Sequence, residues 1–335
     1  MGLPYDAVLL VSFGGPERAA DVLPFLENVL RGKRVPRARM LEVAEHYYLF
    51  DGVSPINAQL RALLAALIAD LDAHGVHLPV YWGNRNWHPM LEDTIRQMAE
   101  DGIRRALAFV TSAFASYSGC RQYLEDIQAA RTAIGSAAPV VEKLRLFFNH
   151  PGFIEPMAER VAEAFESIAP GDRPATRLLF TAHSLPLAMA DRCGYVEQLR
   201  EACRLVAERA GRGAWDLVYQ SRSGPAEQAW LEPDIRDRLA ALRGDAGCRH
   251  VVVAPIGFLA EHMEVIYDLD VEVAGLCQDL DMTMVRAAVV GCHPRFVAMI
   301  RELLQERLDD RPVRLALGNL GPSPDVCPAG CCPPR

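Results

Sequence analysis

Short apolar runs rich in strand-forming residues alternate along the chain with amphipathic stretches of helical period. The apolar runs predict strands over residues 7–13, 78–83, 106–111, 140–144, 177–183, 216–220, 251–257 and 282–287. The stretches between them predict helices, among them 57–74, 91–101, 120–133, 153–168, 195–211, 261–279 and 294–308. Such alternation is typical of parallel sheets with right-handed crossovers. The pattern therefore predicts an α/β fold with two similar lobes, each built on a parallel sheet of about four strands.

The order of these elements also predicts the domain organisation. A break near residues 149–152 separates the two sets of strands, which gives an N-terminal lobe over residues 1–150 and a C-terminal lobe over 151–315. From residue 316 the chain is rich in Gly, Pro and Cys and leaves the helical pattern. Residues 316–335 are therefore predicted to be a cysteine-rich tail, ordered only if something fixes it to the body.

Composition and charge exclude several classes of protein. The chain has 335 residues, half of them hydrophobic, and a net charge of −8, which argues against a general nucleic-acid binder. No apolar run approaches the roughly 20 residues that span a bilayer. The N-terminal residues do not follow the pattern of a secretory signal, so we expect a cytoplasmic protein.

One segment of this acidic chain is strongly basic. Its cations lie within nine residues that contain no acid: Arg31, Lys33, Arg34, Arg37 and Arg39. Such a segment can bind an anionic ligand, although a solvated loop would have the same composition.

Nucleotide-binding motifs are absent from the sequence. The first predicted strand is followed by Gly14 and Gly15 and then by a proline, without the third glycine of a dinucleotide fingerprint, and no P-loop lysine motif occurs. The glycine pair instead permits a sharp turn or a close approach of the backbone to a flat ligand.

Two polar segments follow predicted strands of the C-terminal lobe. His183 ends the strand at 177–183, and an acidic segment with Glu261, His262, Glu264 and Asp268 follows the strand at 251–257. Ligands of open α/β sheets bind at the carboxyl ends of the strands. A lone histidine there is often structural, but an imidazole facing a row of carboxylates can accept protons beside a cation path. The spacing of the acids also predicts that they share one helical ridge, together with Glu272.

Cysteines crowd the last residues of the chain. Cys327, Cys331 and Cys332 can supply most of a four-thiolate metal site, with a fourth thiol from the body. A structural zinc site or a tail of free thiols would also fit this spacing.

Several motifs resemble those of the ferrochelatase family. They follow the family's order from about residue 5 to residue 310 and comprise residues 10–17, 52–56, 182–186, 220–224 with 230–233, and 255–270. Residues 81–87 and the cysteine-rich end resemble the actinobacterial-type enzymes of this family, which are associated with coproporphyrin III.

The resemblance implies the class II chelatase fold, with two Rossmann-like lobes and a porphyrin cleft between them. It implies that His183 accepts pyrrole protons or contacts the Fe²⁺ substrate, and that Glu264 faces it across the macrocycle. His262, Glu261 and Asp268 would extend the acidic path, and the metal contacts would come from His183, Glu264, His262 and Asp268. Phe13 occupies a position where some relatives carry a metal-binding tyrosine, so we expect it to contact the ring or the core.

The basic segment corresponds to the family's substrate lip. The resemblance implies substrate contacts by Phe13, Arg31, Lys33, Arg34, Ser54, Tyr117 and Trp230. Charge-assisted hydrogen bonds contribute about 1.5–3 kcal/mol each, and several cations suit four propionates better than two. Coproporphyrin III is therefore the favoured substrate, with protoporphyrin IX as the alternative.

The resemblance also implies a cofactor and a partner. Several relatives hold a [2Fe–2S] cluster with three C-terminal cysteines and one internal cysteine. Here the expected ligands are Cys120, Cys327, Cys331 and Cys332, with Cys193 as the other candidate for the internal position. A coproheme decarboxylase would take the product. The alternatives are a non-catalytic haem or iron carrier, and a chelatase for another tetrapyrrole, whose relatives generally lack the long lip.

Overall fold

The computed structural model describes residues 4–33, 35–224, 227–245, 248–309, 314–328 and 330–334. Its strands are β1 (Ala7–Ser12), β2 (Val80–Asn84), β3 (Arg105–Val110), β4 (Val140–Lys143), β5 (Arg177–His183), β6 (Trp215–Gln220), β7 (His250–Ala254) and β8 (Thr283–Arg286). Its helices are α1 (Val22–Val29), α2 (Arg37–Tyr48), α3 (Ile56–Ala73), α4 (Leu91–Glu100), α5 (Gln122–Ile134), α6 (Pro151–Glu166), α7 (Leu187–Ala190), α8 (Tyr195–Arg209), α9 (Ile235–Asp245), α10 (Met263–Tyr267), α11 (Ala274–Asp279) and α12 (Pro294–Leu308).

The described strands form two parallel sheets with the same topology. The first has the order β2-β1-β3-β4 and the second the order β6-β5-β7-β8. All residues of β1 are buried, because helices cover both faces of the sheet, and this explains its continuous apolar run. The predicted α/β fold with two four-stranded lobes is confirmed.

One hydrophobic core continues from the first sheet into the second. Phe147 of the first lobe stacks on Phe109 at 5.2 Å and meets Phe153 of α6 edge-on at 6.1 Å. Helix α12 packs against both α3 and α6. The lobe boundary near residue 150 stays a prediction, because aromatic packing runs straight through this position.

Two short helices form the lip above the first sheet. Phe25 of α1 packs edge-on against Tyr47 of α2 at 5.8 Å and against Trp87 at 6.3 Å. On the other side of α2, the His46 ring stacks on Tyr267 of α10 with centroids 3.7 Å apart. The lip of the first lobe therefore touches the acidic segment of the second. Among the described residues, no helix has both the length and the apolar character required to cross a membrane.

The tail is fixed to both lobes along its described part. The side-chain amide of Asn149 donates to the carbonyls of Leu317 and Gly321, at 3.1 and 2.8 Å. The backbone N–H of Asn319 donates to Glu201 of α8 at 3.0 Å, and Arg121 donates to the carbonyl of Cys331 at 3.2 Å. Hydrogen bonds thus hold the segment that the sequence pattern predicts to need an anchor.

Candidate active site

His183 is the last residue of β5. One of its ring nitrogens makes a hydrogen bond to the backbone, and the other is free of backbone contacts. Its Nδ1–H donates to the carbonyl of Ser184 at 2.5 Å, and the Ser184 hydroxyl donates to the carbonyl of Leu231 at 3.0 Å. The Tyr195 hydroxyl donates to the backbone carbonyl of His183 at 3.1 Å. These bonds fix the tautomer and orient Nε2 toward the partly exposed side of the imidazole.

Glu264 of α10 is the partner of that nitrogen. Its Oε1 lies 3.6 Å from Nε2 of His183, and the two side chains are 47% and 30% exposed. Burial would lower the pKa of His183, but the charge of Glu264 and the hydrogen bond to the Ser184 carbonyl outweigh burial and raise that pKa. Burial would raise the pKa of Glu264, but His183, His262 and Lys33 lower it to about 2. In this conformation the two groups form an ion pair.

The arrangement of His183 and Glu264 corrects one expectation. A flat ring between two side chains needs a van der Waals contact of about 3.5 Å on each face, or about 7 Å in all. The observed 3.6 Å leaves no room for a macrocycle between Nε2 and Oε1. Both groups therefore act from the same wall, and Glu264 does not face His183 across a ring in this structure.

The predicted helix over 261–279 is interrupted. Helix α10 ends at Tyr267, a π-helical segment covers Asp268–Val273, and α11 follows. Glu261 precedes the first turn, so it does not share a ridge with Glu264. Its carboxylate accepts a hydrogen bond at 2.9 Å from Arg286 of β8, which also pairs with Asp270. Single-turn π-bulges frequently mark functional sites.

Asp268 lies at the start of the π-helical segment, where the end of β6 meets it. The Ser221 hydroxyl donates to its carboxylate, and the Gln220 amide donates to the backbone carbonyl of Glu264. Burial, together with the charges of Glu264 and Glu272, outweighs the Ser221 bond and raises the pKa of Asp268 to about 7. A carboxyl group with this pKa can take up and release a proton near neutral pH. Ser221 has a φ of 61°, a strained conformation for a residue other than glycine.

Two more aromatic side chains complete this wall. His262 lies edge-on to Phe258 with centroids 5.0 Å apart, and burial lowers its pKa against the raising effect of Glu264. Tyr47 of the lip is partly buried, and its pKa is raised by desolvation and by the charges of Glu264 and Asp268. Among the described residues, no three His, Cys, Asp or Glu side chains converge as ligands of one metal ion. The metal contacts expected for His183, Glu264, His262 and Asp268 stay a prediction.

The first lobe contributes a second set of candidate site residues. Phe13 follows β1 and is 38% exposed, so it contributes an apolar surface and is not part of the core. The guanidinium of Arg85 lies 6.0 Å from the Phe13 ring centroid and pairs with Asp126. Burial and the charge of Arg85 lower the pKa of Lys33, and Glu264 opposes this. Lys33 is thus within electrostatic reach of Arg85 in the first lobe and of Glu264 in the second, which marks the region between them as the candidate cleft.

The other predicted substrate contacts differ in their exposure and in their hydrogen-bond partners. Arg31 is exposed and donates to Asn28 at 2.5 Å, while Arg34 lies outside the described residues. Ser54 is buried beneath Gly15, where an added Cβ would lie 2.9 Å from its hydroxyl. The Tyr117 hydroxyl donates to Glu125 at 3.0 Å. Lys33 is therefore the lip cation with the clearest access to the cleft.

Trp230 is the last of the predicted substrate contacts. It is buried against Gly224, where an added Cβ would lie 2.2 Å from the indole. Residue 230 also forms a β-bridge with Pro186, next to the loop that carries His183. The expected substrate contact of Trp230 stays a prediction, while the bridge to Pro186 shows that this residue supports the segment after His183.

The tail brings its cysteines to two internal thiols. Cys120 interacts with Cys327, and Cys332 interacts with Cys193, so that each tail thiol is coupled to an internal one. These interactions lower the pKa of Cys327 and of Cys193. Cys331 lies beside Cys332, with the two sulfur atoms 3.3 Å apart. The sequence pattern favours one internal thiol, and the structure brings both internal candidates to the tail.

The fold resembles those of solved chelatases. The sirohydrochlorin chelatase SirB of Bacillus subtilis subspecies spizizenii, in complex with cobalt, has a TM-score of 0.53 and 13% identity over 91% of this chain and 95% of its own. SirB from Bacillus subtilis with Fe³⁺ has a TM-score of 0.55 and 14% identity over 91% and 96%. At these identities the likeness establishes the fold alone, which is that of the two-lobed chelatases.

Sequence relatives establish the family. A curated ferrochelatase from Rhodopirellula baltica is 59% identical over 330 residues, which cover 98% of this chain and 93% of the relative. A coproporphyrin III ferrochelatase from Streptomyces coelicolor is 50% identical over 354 residues, which cover 99% and 94%. A sequence model of the ferrochelatase family matches residues 5–308. The chain therefore belongs to the ferrochelatase family, as its motifs predict, and is an enzyme of that family.

Two candidate residues of the cleft are missed by sequence reasoning. Arg85 follows β2 directly, so the strand-end rule that finds His183 also applies to it. Tyr47 carries no such signal, because its position near Glu264 depends on how the lip packs on the second lobe.

Proposed function

We propose that this enzyme inserts Fe²⁺ into coproporphyrin III. The observation that carries the proposal is the pair of His183 and Glu264 at the carboxyl edge of the second sheet, with Lys33 of the lip within electrostatic reach of Glu264. An imidazole with a fixed tautomer and a carboxylate beside it suit a ligand that must lose protons and take up a cation.

The reaction requires both a proton acceptor and an exit path for protons. Each insertion replaces two pyrrole protons by one Fe²⁺, so two protons leave the ring. His183 accepts a proton only as the free base. Because Glu264 raises the pKa of His183 and so favours the imidazolium, the charge of Glu264 must first be compensated by another cation. An arriving Fe²⁺ can do this, because a cation beside Glu264 weakens its hold on the imidazolium. Asp268, with a pKa near 7, can pass protons onward.

The preference for coproporphyrin III rests on the lip and on the relatives. Lys33 lies within electrostatic reach of Glu264, Arg31 of the same segment is exposed, and relatives about half identical to this chain are named coproporphyrin III ferrochelatases. A substrate with four propionates can use these cations more fully than one with two. Each charge-assisted contact contributes about 1.5–3 kcal/mol.

The test compares insertion rates for coproporphyrin III and protoporphyrin IX under anaerobic conditions. We expect the larger kcat/KM for coproporphyrin III, and a preference about tenfold smaller in Lys33→Gln, because 1.4 kcal/mol corresponds to a factor of ten. Arg39→Gln is the matched control, since Arg39 of the same segment already pairs with Glu42 at 2.8 Å. A preference for protoporphyrin IX would contradict the proposed substrate, and tight binding without insertion would favour the carrier alternative.

We also propose that the tail thiols hold a [2Fe–2S] cluster. The thiols Cys120, Cys193, Cys331 and Cys332 form a small cluster with Ala115 and Leu146, which provide apolar surroundings. Buried Lys143 lies within electrostatic reach of Cys120 and Cys327, and a cation offsets the negative charge of an iron–thiolate group. Anaerobically purified protein should carry two iron and two acid-labile sulfide ions per chain. A colourless protein with one zinc ion would contradict the cluster.

We propose a cytoplasmic enzyme whose coproheme product passes to a coproheme decarboxylase. The product keeps all four propionates, which is what a decarboxylase acts on. Transfer of coproheme from this enzyme to such a decarboxylase, measured by absorbance, would test the partnership.

A further inference from the structure

Helix α10, which carries Glu264, is too short to hold its own position. It spans five residues, Met263–Tyr267, and no side chain caps its first turn. Isolated helices shorter than about 12–15 residues are marginally stable in water, so tertiary contacts decide where α10 lies. Glu264 lies 3.6 Å from Nε2 of His183, and a small shift of α10 would change that distance. The contacts that fix α10 therefore help to build the site.

One of these contacts comes from the first lobe, at the entry to α10. The side-chain Oε1 of Gln59, on α3, accepts a hydrogen bond at 2.9 Å from the backbone N–H of Glu261. Glu261 precedes the helix, so no hydrogen bond within α10 uses this N–H. Gln59 is itself held against the second lobe, because the Cys292 thiol donates to its backbone carbonyl at 3.8 Å. Gln59 thus fixes the entry to α10 from the other lobe.

A second contact from the first lobe lies at the end of α10. Tyr267 is the last residue of this helix, and the His46 ring of α2 stacks on it with centroids 3.7 Å apart and 12° between the ring planes. Aromatic rings in such contact pack with a defined geometry. Directly after Tyr267, the π-helical segment begins with Asp268. His46 therefore restrains the point at which the regular helix ends.

The second lobe holds the same helix between these two contacts. The Gln220 amide donates to the backbone carbonyl of Glu264. Gln220 is the last residue of β6 and lies in register with His183 of β5. This contact ties Glu264 to His183 within the second lobe, and Gln59 and His46 add a dependence on the first.

We propose that Gln59 and His46 are positioning residues, through which the first lobe sets where Glu264 stands relative to His183. The inference rests on the proposed roles of these two side chains in iron insertion. Neither positioning residue has to touch the porphyrin or the iron, since Gln59 acts through a backbone N–H and His46 through an aromatic ring. The distance between His183 and Glu264 then depends on the packing of both lobes.

The test compares the removal of each contact with a substitution that keeps it. Gln59→Met removes the acceptor oxygen, whereas Gln59→Glu keeps one at the same chain length. His46→Ala removes the stacked ring, whereas His46→Phe keeps one. We expect kcat for iron insertion to fall about tenfold in Gln59→Met and in His46→Ala, less than the roughly 10²-fold loss that a misplacement of 1 Å can cause. KM for the porphyrin should stay at the wild-type value, and Gln59→Glu and His46→Phe should keep most of the wild-type kcat.

Gln97→Met is the matched control, because Gln97 of α4 donates at 2.8 Å to Asp101 on the surface, and its kcat should equal that of the wild type. A wild-type kcat in Gln59→Met or in His46→Ala would overturn the proposal. An equal loss in Gln59→Glu and Gln59→Met would also overturn it, since the acceptor oxygen would then have no effect.

Hydrogen exchange of the full-length protein without substrate gives a readout that does not depend on turnover. By NMR, the backbone N–H of Glu261 should exchange faster in Gln59→Met than in the wild type, and at the wild-type rate in Gln97→Met. Unchanged protection of this N–H in Gln59→Met would contradict the contact on which the inference depends. Wild-type protein that inserts no iron would refute the proposed function, whereas wild-type insertion with an unchanged kcat in the variants would refute this inference alone.

Discussion

Replacement of His183 by alanine is expected to lower kcat for iron insertion by about 10²–10⁴-fold, the usual contribution of a positioned general base. The reason is structural: Nε2 is the ring nitrogen left free by the Nδ1–H bond to Ser184, and it faces Glu264. KM for the porphyrin should change little, because Phe13 and the lip remain. Anaerobic turnover followed by the absorbance of the metalloporphyrin measures both constants.

Two comparisons distinguish this role from a structural one. The His77→Ala variant should retain full activity, because the His77 side chain is 77% exposed. In the wild type, kcat/KM should rise with pH through the raised pKa of His183, since the free base accepts the proton. The alanine variant should lack that rise. Turnover close to the wild-type rate in His183→Ala would remove the proposed role of the imidazole.

The strands were predictable from sequence because their burial is nearly complete. Strands β1, β5 and β7 lie inside their sheets, so an apolar run marks each of them and the structure moves their ends by at most a few residues. The position of His183 follows from the same rule, since it is the last residue of a buried strand. A strand end is a local feature, and local features are readable in a single sequence.

The acidic segment was less predictable because its backbone leaves the regular helix. A spacing of three and four residues predicts one ridge, but the π-helical segment from Asp268 to Val273 changes the rotation per residue. Glu261 also lies outside the helix and pairs with Arg286. No side-chain pattern in the sequence indicates the extra backbone residue of a π-turn, so the ridge was predicted too long.

Contacts between distant segments were the hardest to predict. The 3.6 Å separation of His183 and Glu264, the burial of Trp230 and the reach of Lys33 into the cleft all depend on how the lobes and the lip pack. The same holds for the second internal thiol, because Cys193 and the tail meet only in three dimensions. Sequence spacing fixes which residues share an element, whereas the packing of elements decides which of them meet.

The substitution Glu306→Gln is expected to lower the free energy of unfolding by about 3–5 kcal/mol, because it leaves a buried arginine without its counter-charge. Glu306 of α12 receives two hydrogen bonds from Arg145, both at 2.7 Å, and the two side chains are 4% and 1% exposed. Arg145 also donates to the carbonyl of Leu315 at 2.9 Å. The pair therefore joins the first lobe, α12 and the start of the tail. Chemical denaturation followed by circular dichroism measures the change.

The matched control removes the same charge at the surface. Glu92 pairs with Arg96 one helical turn away at 2.8 Å, and both side chains are about half exposed. Glu92→Gln should therefore change stability by no more than about 1 kcal/mol, because solvent screens the pair. Equal, small shifts in both variants would mean that the Arg145 guanidinium finds other partners when Glu306 is neutral. A large shift confined to Glu306→Gln would locate the stabilising charge pair at the junction on which the geometry of the cleft depends.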